Sequence, residues 1–200
     1  MNKEIELEKS RMISPKSIML NSLADRDYVV NTNYKRITMH MDVSSLTSKT
    51  VSLNCTWKKI PSIKSYDVIG FRPLGVSLSN NYYVEGSQKY DGKTIYYDYG
   101  NQKDHFKVTS GGVGLSSNIS NDVKSSLSLT LKANFITGQE PFTVYGSYQH
   151  ATSNVTLSQS KDYSFSSAGM GYVFDFSRSV SKKYDNTPGL MVKGSLYDYF

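Results

Sequence analysis

Six tyrosines, Tyr82, Tyr83, Tyr90, Tyr96, Tyr97 and Tyr99, fall within eighteen consecutive residues. A phenol ring offers an apolar face that stacks on a sugar or a peptide and a hydroxyl that tolerates water, so exposed tyrosines make an economical binding surface. The chemistry they suggest is recognition. Within "TIYYDY", residues 94–99, a period of two puts Ile95, Tyr97 and Tyr99 on one side and Thr94, Tyr96 and Asp98 on the other. The candidate ligand-binding set is Tyr82, Tyr83, Tyr96, Tyr97, Tyr99 and Asp98, with Tyr96 and Asp98 expected to face outward. The competing reading is that these rings pack across strands and shield the sheet.

Groups that make or break bonds are scarcer. His40 lies two residues from Asp42 and His105 beside Asp104, pairings that suit a metal or a general base. No HExxH or cysteine-rich spacing accompanies them or His150, and all three histidines are read as surface or structural. Asp91, Asp98 and Asp104 surround the tyrosine hairpin without the spacing of an EF-hand, and turn formation explains them. The glycine run "SGGVG", residues 110–114, lacks the Gly-Lys-Ser/Thr of a phosphate loop and precedes a strand, so it reads as a turn or bulge. Cys55, the single cysteine, excludes an intrachain disulfide and falls in phase with Val51, Leu53 and Trp57, as a buried apolar residue would. No catalytic residue, metal site or cofactor is assigned.

The elements that must position these residues are strands. "SLSLTLKANF", residues 126–135, alternates Leu127, Leu129, Leu131, Ala133 and Phe135 with Ser126, Ser128, Thr130, Lys132 and Asn134, the mark of a strand buried on one face. Similar runs recur from residue 27 onward. Asp91-Gly92 between two of them is the strongest hairpin signal, and Arg72-Pro73 reads as a strand boundary. "NVTLSQS" and "GLMVKGSLYDYF" are counted as strands as well. About ten to twelve strands without alternating amphipathic helices predict an all-β antiparallel sandwich, with a closed barrel as the alternative. Residues 27–200 are expected to form one domain, with the part after residue 111 as a separate sheet of it. Residues 1–26 form a charged segment, loosely held or carrying a short helix.

The 200 residues carry a formal net charge of +6, with arginine only at Arg11, Arg26, Arg36, Arg72 and Arg178. Without arginine forks, a basic helix or zinc-finger spacing, a nucleic-acid partner is not expected. No stretch is apolar enough for a transmembrane helix, and residues 1–20 lack the apolar core of a secretion leader. A hydroxyl- and tyrosine-rich chain of this kind suggests a non-enzymatic secreted or cell-surface module. Its expected partner is a glycan, an anionic wall polymer or a protein surface, with self-association as a further option. Two alternatives stand beside it. One is a pore-forming, toxin-like protein in which residues 124–135 pair with 142–150 as a barrel hairpin; the other is a polysaccharide hydrolase whose carboxylate pair comes from distant strands.

Overall fold

A computed structural model describes residues 27–42, 48–78, 83–137, 142–166 and 173–194. Residues 1–26, Tyr82 and the last six residues, including the end of the "GLMVKGSLYDYF" strand, lie outside these described residues.

Alternation dictates the first sheet. It contains β1 (Asp27–Asn31), β2 (Lys35–Asp42), β3 (Ser48–Trp57), β5 (Val76–Leu78), β6 (Val84–Tyr90), β7 (Lys93–Asp98) and β10 (Ser128–Thr137). Its order is β1-β2-β3-β10-β6-β7, with β5 on the far end of β10, and every pairing is antiparallel. The apolar phase of each long strand points inward: Ile37, Met39 and Met41, then Val51, Leu53 and Cys55, then Leu129, Leu131, Ala133 and Phe135 are all essentially inaccessible. The β6–β7 turn is formed by Asp91 (φ 46°) and Gly92 (φ 80°), two left-handed residues as a tight hairpin requires.

A second sheet, in the order β14-β11-β4-β9-β8, packs its inner face on this core. It uses β4 (Tyr66–Leu74), β8 (Phe106–Thr109), β9 (Gly112–Asn118), β11 (Phe142–Gln149) and β14 (Leu190–Gly194). The outer face is covered too, by the small β12 (Tyr163–Phe165)–β13 (Phe174–Phe176) ribbon and two single-turn helices, Leu157–Ser160 and Arg178–Ser181. Burial on both faces explains the unbroken apolar run of β4, where Val68 faces one cluster and Ile69 and Phe71 the other.

The sandwich expectation therefore holds. Both main sheets are open, with β1 and β7 at the edges of one and β14 and β8 at the edges of the other, so the closed-barrel alternative does not. Fourteen strands among the described residues exceed the expected ten to twelve because β5, β12 and β13 are only three residues each.

Four local expectations are corrected. β4 runs through Pro73 to Leu74: its pairing with β9 ends at Phe71, so the proline sits where β4 has a partner, β11, on one side only, the edge-like position that tolerates it. "NVTLSQS" forms a helical turn, because Thr156 and Gln159 make a reciprocal capping box that satisfies the first free amides. β10 and β11 belong to different sheets, so the barrel hairpin pairing of residues 124–135 with 142–150 is absent. The part after residue 111 is likewise not a separate sheet, since β10 lies inside the first sheet and β9 and β11 flank β4.

Candidate functional site

The outward phase of the first sheet is a surface of short polar side chains. The registers align Val29, Thr38, Asn54, Thr130, Ser87 and Tyr96 in one row across six strands. Strand spacings of about 4.8 Å make this row about 24 Å long. Its middle is held in place by hydrogen bonds: Asn54 Nδ2 donates to Thr130 Oγ1 at 2.7 Å and Thr56 Oγ1 to Asn54 Oδ1 at 2.8 Å. Larger charged residues stand on either side. Arg36 and Lys89 line one flank; His40, Lys132, Glu85 and Asp98 line the other. The result is a shallow trough that deepens at its β7 end into a depression of about 260 Å³ among Ser87, Thr130, Lys132, Glu85, Tyr96 and Asp98.

Tyr96 closes that end and is 72% exposed, the most exposed of the large apolar and aromatic side chains described. Asp98 is exposed beside it and holds the following turn by accepting from Asn101 N at 3.0 Å. Tyr83, 48% exposed, extends the same face, and its bond to the Glu85 carboxylate holds its hydroxyl above the ordinary tyrosine range. Tyr97 points the other way. It is buried, accepts from Ser117 Oγ at 3.0 Å and packs on His105, with burial the main reason its hydroxyl titrates high. Tyr99 packs edge-on against Phe106 at 5.8 Å. The structure thus brings Tyr83, Tyr96 and Asp98 to one surface and removes Tyr97 and Tyr99 from it; Tyr82 lies outside the described residues.

A second constellation, not expected from the sequence, sits inside the sandwich. Lys35 is in phase with Ile37, Met39 and Met41 and is fully buried. Its Nζ donates to Asp185 Oδ2 and, at 2.8 Å, to Thr187 Oγ1, and lies 5.4 Å from the centre of the Trp57 ring and 5.2 Å from that of Tyr148. Asp185 Oδ1 accepts from His150 N at 3.1 Å and from Thr187 Oγ1 at 2.9 Å. Asn186 between them has φ 51°, the kink that turns both neighbouring side chains onto Lys35. Burial alone would raise the Asp185 pKa, but the Lys35 and His150 charges overcome it and hold the carboxyl below its usual value.

Asp67, on β4, completes the cluster. It accepts from Tyr148 OH, from Ala151 N at 2.9 Å and from His150 Nδ1 at 3.0 Å, and Trp57 Nε1 donates to Tyr148 OH at 2.9 Å. His150 therefore touches both carboxylates, one with its main chain and one with its ring. Two carboxylates from distant parts of the chain do join one cluster, Asp67 from β4 and Asp185 from the segment before β14, but Asp67 is fully buried and Asp185 is 7% exposed, so neither faces a cleft. Among the described residues no three His, Cys, Asp or Glu side chains converge as a metal site. The sequence signal for this centre was the phase of Lys35, a lysine standing where the strand calls for an apolar residue.

No protein-family model and no curated protein matches this sequence. Among solved structures, the chain is similar to a collagen-binding domain from a Staphylococcus aureus adhesin, at 11% identity over 83% of this chain and 99% of that one, with a TM-score of 0.44. It is also similar to ACE19, the collagen binding subdomain of Enterococcus faecalis surface protein ACE, at 14% identity over 82% and 95% of the two chains, TM-score 0.40. A third is the collagen binding domain of Erysipelothrix rhusiopathiae surface protein RspB, at 11% identity over 81% and 48%, TM-score 0.41.

Proposed function

We propose that the protein is a non-enzymatic, secreted or cell-surface recognition module that binds an extended polypeptide along the outer trough of the first sheet. The observation that supports it is the row from Val29 to Tyr96: four short, uncharged side chains able to hydrogen-bond, Thr38, Asn54, Thr130 and Ser87, bounded by exposed Val29 at one end and the exposed ring of Tyr96 at the other. Such a surface offers donors and acceptors to a straight chain and little to a compact ligand. Both signs of charge flank the row. A polypeptide carries both; an anionic wall polymer would meet Glu85 and Asp98, and a neutral glycan would leave Arg36 and Lys89 without partners. The net charge of +6 adds a long-range attraction to acidic proteins.

The test is a binding screen of the full chain against immobilised extracellular polypeptides and, in parallel, neutral and anionic glycans. Saturable binding to one or more polypeptides is expected. Binding confined to glycans would contradict the polypeptide reading, and binding to neither would contradict the recognition module.

A further inference from the structure

Lys35 and Asp185 come from β2 and from the segment leading into β14, 150 residues apart, and meet where water is excluded. We propose that the Lys35 amine and the Asp185 carboxyl condense into an intramolecular amide, cross-linking the two sheets.

Everything the condensation needs is in the cluster. The reacting groups are in direct contact and fixed by their neighbours, which replaces a bimolecular encounter with a positioned one. Trp57 and Tyr148 wall the pair off from water, so a proton leaving the Lys35 ammonium has the Asp185 carboxylate as its nearest acceptor, and loss of the ion pair relieves the cost of keeping two charges dry. Proton transfer from the Lys35 ammonium to Asp185 Oδ2 gives a neutral amine beside a neutral acid. The Nζ lone pair then attacks Cγ, and charge builds on Oδ1. That oxygen already accepts from the His150 main-chain N–H and the Thr187 hydroxyl, two donors placed where the tetrahedral oxyanion forms. A second proton passes from nitrogen to the Oδ2 hydroxyl, the C–Oδ2 bond breaks and water leaves. One C–N bond replaces one C–O bond, and no oxidant or cofactor is involved. Asp67 holds Tyr148 and His150 in position on the far side of the pair. The cross-link is independent of what the outer trough binds.

The experiment is intact-mass measurement of the full chain under denaturing conditions, followed by peptide mapping. The expected mass is one water below that of the sequence, with a branched peptide joining Lys35 to Asp185 and no tryptic cleavage after Lys35. The full sequence mass would overturn the proposal and leave the pair as an ordinary buried salt bridge. Asp91-Gly92 can lose one water by cyclising on its own backbone, so a deficit that maps to Asp91 would also overturn it. Lys35→Arg, which keeps a cation and removes the nucleophile, should show the full mass whether or not it folds well. A water deficit persisting in that variant would again count against the cross-link.

Discussion

Lys35 and Asp185 are 150 residues apart in the chain and in contact in the core, which ties β2 of the first sheet to the segment that feeds β14 of the second. Strand hydrogen bonds operate within each sheet, so the connection between sheets otherwise rests on side-chain packing and on side-chain hydrogen bonds such as Ser117–Tyr97 and Trp57–Tyr148. Removing one member of a buried pair leaves the other charged, dry and unpaired. Lys35→Met should therefore destabilise the fold by at least about 3–5 kcal/mol, read as a lower denaturant midpoint. A loss below about 1 kcal/mol, the value of an exposed pair, would show that Asp185 is rescued by its other partners.

Tyr148 links Trp57 to Asp67 through a single hydroxyl. Tyr148→Phe keeps the ring and deletes that link, so the indole N–H loses its acceptor and the carboxylate one of its donors. The expected cost is about 1–3 kcal/mol in equilibrium unfolding, with the far-UV spectrum unchanged.

Much of this architecture is legible in the strand alternation, because a period of two needs only local residues. The inward set of β10 and the split of Tyr96 from Tyr97 follow from it directly. Sheet partners do not, since β10 finds β3 and β6 through contacts far apart in sequence and ignores β11, the next long strand in the chain. The buried centre is hidden for a related reason: Lys35 stands at an inward position, and the residue that makes this tolerable is the distant Asp185. Lys49, in phase with Val51 and Leu53, repeats the pattern and is also fully buried. The helical turn at Leu157–Ser160 was too short to show any period, although its capping pair, Thr156 and Gln159, was present in the sequence.

Asp91 fastens the β6–β7 turn to the loop before β10. Its carboxylate accepts from Ser125 Oγ at 2.7 Å and from the amides of Lys124, Ser126 and Ser125 at 2.6, 2.9 and 3.0 Å, and these bonds hold it well below the usual carboxylate range. A depressed folded-state pKa means the tether is fully present above the ordinary aspartate value of about 3.9 and is lost as pH falls below that, through the folded value. Amides 124–126 should exchange faster in acid, relative to the rest of the chain, than at neutral pH. Asp91→Asn should remove this step in the pH profile; an unchanged profile would refute the tether.

Cys55 sits in the core with its thiol inaccessible, and burial pushes its pKa far up, so little thiolate forms. A thiol reagent should leave the folded protein unlabelled and modify it completely in denaturant. Labelling under native conditions at a rate comparable to the denatured chain would contradict this packing.

The most direct measurement of the recognition reading is the affinity of Ser87→Arg for the polypeptide that the screen identifies. Ser87 lies between Thr130 and Tyr96 in the trough, so a long side chain there blocks the row without touching the core. Ser158→Arg, on the exposed single-turn helix, is the matched control. The account predicts at least about a tenfold loss of affinity, about 1.4 kcal/mol, for Ser87→Arg, with no change for Ser158→Arg and equal thermal stability for both. Wild-type affinity in Ser87→Arg would contradict it and place binding elsewhere on the protein.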